Sequence, residues 1–140
     1  MNGLAEVFNQ HGDAMTAALW ETGYMVAVSL AAAALIGLPL GMTVFLTQRG
    51  GLAENRAAWS IANLYINVVR SFPFLLLVVV LIPFTRAVMG TSFGTRAATL
   101  PLCFVAVAIY ARLVEQSMRA IPAGISRVAR SLGASLPQVV

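Results

Sequence analysis

Residues 23–47 limit most what this chain can become. They run for 25 positions without a charge. As a helix they would be about 37 Å long, enough to cross a hydrocarbon layer of about 30 Å with some tilt. Pro39 lies inside the run, between Gly37 and Gly41. A proline there removes a backbone donor and crowds the turn before it, so a kink is expected near Leu35. Gly37 and Gly41 form a GxxxG pair, and four alanines at 31–34 add further small side chains. Such a face lets helices approach closely in lipid, and the expectation for both glycines is helix packing.

Composition agrees. Apolar residues make up 59% of the 140 and charged residues 10%, against about 25% charged in soluble domains. The net charge of +4 comes from nine arginines, with no lysine. They stand beside apolar segments, which reads as membrane topology and excludes nucleic acid as the expected partner. The first 24 residues hold Glu6, Asp13 and Glu21 but no cation, so no cleavable leader is expected. Cys103 is the single cysteine and, in an apolar run, is expected to be buried packing. His11, in a polar N-terminal stretch, is expected to be solvated. No HExxH, GxSxG, Walker or paired-cysteine motif is present. No catalytic residue, metal site or cofactor is therefore expected.

The second apolar segment is interrupted. Residues 59–69 are mostly apolar, Arg70 follows, and 72–84 are wholly apolar. The latter run is about 20 Å long as a helix and too short to span alone. Either the span includes Arg70 or the helix breaks near it, and Pro73 gives a reason for a break. An arginine at mid-membrane costs on the order of 3 kcal/mol, and residues 74–82 return a similar amount at about 0.3–0.6 kcal/mol each. Insertion is feasible provided Arg70 avoids lipid. It either snorkels or pairs within the bundle, or it lines a polar pathway. A third segment, 97–111, ends at Tyr110 and Arg112, an interfacial pair, and is expected to begin a turn or more before Arg96. The expected architecture is all-α and polytopic, one domain over 1–140. It has helices at about 23–47, 59–85 and 92–112 and a loop at 113–140.

Arginine placement orients the chain. The first tail has none, the loops after the first and second segments have two each, and the last tail has four. An outside N-terminus and a cytoplasmic C-terminus put six arginines inside and two out, as the positive-inside rule favours.

The last tail carries its own pattern. Arg112, Glu115 and Arg119 follow one another at i, i+3 and i+7, with Glu115 and Arg119 in the favourable i,i+4 order, so the third helix is expected to continue into the cytoplasm. Pro122, Ala123 and Gly124 make a turn. Ile125, Val128, Ala129 and Leu132 then fall on one face of a short helix, Ser126, Arg127, Arg130 and Ser131 on the other, and Gly133 stops it. About eight residues are too few for a stable helix in water. The apolar face needs the rest of this protein, a groove on a partner, or a membrane surface to cover it.

At these residues the chain resembles the permease subunit of bacterial ABC importers, most closely the methionine-importer permease family. Four stretches carry the likeness. They are ETGYMVAVSLAAAALIGLPLGMTVFLT at 21–47, NVVRSFPFLLLVVVLIPFTRAVMGTSFG at 67–94, YARLVEQSMRAIPAG at 110–124 and SRVARSLGAS at 126–135. The R-S-x-P-F, I-P-F-T-R and G-T-S-x-G elements of the second are the most specific. The last aligns with the cytoplasmic E-A-A-x-x-x-G loop, with Arg127 in place of its Glu and Val128 in place of its first Ala; Ala129 and Gly133 remain.

The resemblance implies a membrane permease importing methionine (D- or L-) or a related amino acid across the bacterial inner membrane by alternating access. ATP hydrolysis would fall to a separate ATPase subunit. Delivery would come from a substrate-binding protein or lipoprotein, and a second permease copy and membrane lipid would surround the chain. Ile125, Arg127, Val128, Ala129, Leu132 and Gly133 would couple to the ATPase, and Arg70 and Pro73 would face the bundle or the pathway. Family members continue past this loop, so the chain reads as the N-terminal portion of a permease. The alternative is a non-transporting remnant or a small ATPase-binding membrane subunit.

Overall fold

The computed structural model describes residues 3–91, 93–122 and 131–133, with side chains from residue 12 onward. Its elements run α1 (Gly3–Ala32), a π-helical turn (Ala33–Gly37), α2 (Leu38–Thr47), α3 (Arg56–Ser71), α4 (Phe74–Met89) and α5 (Thr95–Arg119). The fold is all-α, and α5 is its centre. Helices α1 to α4 and the π turn all pack against α5.

α1, the π turn and α2 follow one another without a gap. The π turn contains Leu35 and sits just ahead of Pro39, the second residue of α2. The proline cannot donate to the turn before it, and one wider turn accommodates the missing bond. Helical structure begins at Gly3, well before residue 23. His11 therefore lies in a helix. Polar residues in this stretch do not stop a helix, and no proline occurs before Pro39. Hydroxyls along the bundle turn inward on their own helix: Ser29 donates to the Met25 carbonyl at 2.7 Å, Thr43 to Pro39 at 2.7 Å and Thr99 to Thr95 at 2.8 Å. In lipid these three hydroxyls are thereby satisfied without water.

A tight loop with Gly50 at φ +74° leads to α3. Asn55 caps that helix, its Oδ1 accepting from the backbone N–H of Ala57 at 3.1 Å and of Ala58 at 3.2 Å. The expected single helix at 59–85 is two. The chain leaves helical geometry at Phe72 (φ −79°, ψ 131°), the residue before Pro73, and α4 departs from α3 at a bend of 117°. The proline ring disfavours helical geometry in the residue before it, which places the break there. Gly90, left-handed at φ 74°, ends α4 with its N–H on the Arg86 carbonyl at 3.0 Å. The third helix extends to Arg119, a continuation into the 113–119 stretch.

Two small cores hold these helices. Val44, Ala62, Ile66 and Ala111 join α2, α3 and α5; Val69, Leu77 and Ala108 join α3, α4 and α5. Elsewhere large apolar side chains face outward, including Leu19, Leu30, Leu35, Leu75, Val79 and Val80. Exposure on this scale suits a bilayer, not water. Gly12–Thr47 and Thr95–Arg119 are each long and apolar enough to cross a membrane, and the bent pair α3–α4 makes a third span if counted as one.

Candidate functional site

Gly37 and Gly41 lie against α5. A Cβ on Gly37 would come within 3.0 Å of the Val107 carbonyl and 3.2 Å of the Tyr110 Cβ. On Gly41 it would meet the Ala111 carbonyl oxygen and stand 2.8 Å from the Val114 Cβ. The two helices approach closely only because hydrogen occupies both positions.

Arg70 and Pro73 flank the break. Arg70 is exposed, and no ion pair holds it among the described residues. Together with Arg112 and Gln116 it edges an open cavity of about 320 Å³ whose other walls are apolar, among them Phe72, Phe74, Ile109 and Leu113. Pro73 stands at the start of α4 beside this cavity and is itself exposed.

The charged pattern at the end of α5 is more than the helical pair expected. Glu115 is 1% exposed. Its Oε2 accepts from Arg112 Nη1 at 2.5 Å, and its Oε1 accepts from Arg119 Nη2 at 2.6 Å. The remaining fork of Arg112 donates from Nη2 to Asn67 Oδ1 on α3 at 2.7 Å. Taking a carboxylate out of water costs several kcal/mol, which is offset here by two guanidiniums in direct contact. The trio keeps one net positive charge. Sequence reasoning missed both the burial of Glu115 and the part played by Asn67. The one available signal was that Glu115 falls four residues after Ala111 and seven after Ala108, on the face that α5 buries.

At the other end of α5, Thr95 Oγ1 donates to Glu21 Oε2 at 2.6 Å and ties the first turn of α5 to α1. Cys103 is partly buried, its thiol 3.8 Å from the Ser29 hydroxyl. Among the described residues no group of three or more His, Cys, Asp and Glu side chains could hold a metal ion. Of the tail motif, Ile125, Arg127, Val128 and Ala129 lie outside the described residues. Leu132 is 82% exposed, and Gly133 adopts φ +80°, the left-handed geometry of a helix-ending glycine.

Two membrane-length segments, one of them the central α5, and a third segment broken beside free and paired arginines define a multi-pass helical membrane protein. No protein-family model matches the chain. It is 42% identical to the probable D-methionine transport system permease protein MetI of Pasteurella multocida, over 90% of this chain and 62% of that protein. It is 38% identical to the D-methionine transport system permease protein MetI of Escherichia coli K12, over 87% of this chain and 56% of that protein. Among solved structures, an inward-facing form of the MetNI methionine ABC transporter matches with a TM-score of 0.79 at 38% identity, covering 86% of this chain and 56% of that one. The chain is similar to these ABC importer permeases over most of its own length, and it spans about three fifths of the length of the curated relatives it matches.

Proposed function

We propose that this chain serves as a membrane subunit of an ATP-binding-cassette importer for methionine, D- or L-, or a related amino acid in the bacterial inner membrane. The observation that carries the reading is the combination of 42% identity to a D-methionine permease across 90% of the chain with the helix arrangement of a methionine ABC transporter at a TM-score of 0.79. In this reading ATP is hydrolysed on a separate ATPase subunit. A binding protein or lipoprotein delivers substrate at the outer face, and a second permease copy completes the membrane unit.

The N-terminus faces out and the C-terminus in. Clustering of arginines at one end supports this: Arg49 and Arg119 border one recess, and Arg49 and Arg56 another. Ile125, Val128, Ala129 and Leu132 dock on the ATPase through their apolar face, with Arg127 beside them and Gly133 turning the chain away. The exposure of Leu132 leaves that side chain available for such contact. Arg70 faces the transport path, supported by its place at the cavity beside the break; Pro73 holds the break open.

Co-purification with the ATPase subunit tests the docking. Leu132→Asp and Val128→Asp should each weaken it by an order of magnitude, since a buried unpaired carboxylate costs at least about 1–3 kcal/mol. Equal recovery of all three forms would sink the docking. Uptake of labelled methionine by cells lacking other methionine importers tests the substrate. Binding without uptake would favour the small ATPase-binding membrane subunit instead.

A further inference from the structure

The residues that tie α5 to α3 lie between the tail and the break. Arg119 is the last residue of α5, immediately ahead of the turn into the basic tail. From it, contacts run through Glu115 and Arg112 to Asn67, at 2.6, 2.5 and 2.7 Å. Asn67 stands one turn before Ser71, the last residue of α3. We infer that Asn67 is a positioning residue: through Arg112 and Glu115 it passes displacement of the tail to the α3–α4 break. This rests on the importer reading above.

Stability does not require the bond. α3 is already held to α5 by Ile66, Ala62 and Ala111, and by Val69 against Ala108. Asn67 is exposed, and Arg112 keeps Glu115 if Asn67 is lost. An exposed hydrogen bond of this kind is screened by its surroundings and adds little to what the apolar contacts already hold. What it adds is direction. Apolar side chains can slide past one another at little cost, whereas a guanidinium fork shared between a buried carboxylate and an amide oxygen holds one geometry. α3 and α4 part at a bend of 117°, and Asn67 is where the charged chain reaches that pair.

The test uses the complete transporter in proteoliposomes with its ATPase and binding protein, and reads substrate moved per ATP hydrolysed. Asn67→Ala and Asn67→Leu should leave hydrolysis and the unfolding temperature near those of the unaltered protein. Both should lower transport per ATP by about fivefold or more, the lower range of typical coupling between sites. Asn67→Asp keeps an acceptor for Arg112 and should restore transport. An unchanged ratio in Asn67→Ala overturns the inference, as does failure of Asn67→Asp to differ from Asn67→Leu. So does a parallel loss of unfolding temperature and hydrolysis, which would make Asn67 structural. If the unaltered protein neither binds the ATPase nor moves substrate, the importer reading falls and the inference with it, a result visible before any substitution is made.

Discussion

Replacing Gly41 with alanine tests the close packing of α2 on α5, and the structure sets both the sign and the size of the effect. The added Cβ would lie 2.8 Å from the Val114 Cβ and against the Ala111 carbonyl oxygen. Carbon atoms rest at about 3.5–4.0 Å, so α2 must retreat by roughly 0.7 Å or more. The carbonyl belongs to the α5 backbone and cannot swing aside. Retreat loosens Val44 against Ala111, both fully buried, and a gap of about 0.5–1 Å forfeits a quarter to a half of each dispersion contact. Overpacking of this kind costs about 1–3 kcal/mol. Alanine returns up to about 1 kcal/mol through helix propensity, leaving a net loss of up to about 2 kcal/mol. Gly37→Ala is the internal control. Its new Cβ meets neighbours at 3.0 and 3.2 Å, a few tenths of an ångström too near, and part of that contact is the side chain of Tyr110. Its cost and its propensity gain should nearly cancel. Unfolding in mixed micelles by SDS titration, followed by circular dichroism, reads the difference. Gly41→Ala should unfold at clearly lower SDS than Gly37→Ala. Coincident midpoints would refute the geometry argued for this interface.

Two further substitutions act on single groups. Asn55→Ala removes the acceptor for two N–H groups at the start of α3; it should destabilise that helix by about 1 kcal/mol, and Asn55→Asp should recover the loss in the same titration. Thr85 buries a hydroxyl that has no hydrogen-bond partner. Thr85→Val should therefore be neutral or raise the unfolding temperature, since an unpaired buried polar group costs about 1–3 kcal/mol; a marked fall would mean that the hydroxyl is bonded.

The spans were legible because lipid demands long uncharged runs, and 23–47 has no competing reading. The break at Phe72–Pro73 was legible as one of two outcomes, since a proline after an arginine in a short apolar run leaves few alternatives. The backward extension of α1 to Gly3 was not, because apolar periodicity marks which helices are buried and says little about where a polar one starts. Glu115 shows the other limit. The i,i+4 pattern with Arg119 names a helical pair whether it is solvated or buried; only the packing of α3 on α5 decides that the carboxylate is enclosed and that Asn67 joins it.

The break, the arginines and the cavity have one physical origin. Where a helix stops inside a membrane, its last carbonyls and the next helix's first N–H groups lose their partners. Two bonds close part of this gap, Phe72 N–H to Val68 at 3.2 Å and Leu77 N–H to Pro73 at 3.1 Å, and Pro73 brings no N–H to satisfy. The remaining groups need protein or water, because irregular backbone at membrane depth survives only against one or the other. The cavity bordered by Phe72 and Phe74 provides the space, and Arg70 and Arg112 at its edge favour water within it over acyl chain. A straight helix through 59–85 would satisfy its own backbone and leave Arg70 to lipid. By bending, the chain exchanges that cost for an open recess beside α5, on the side where Arg112 meets Asn67.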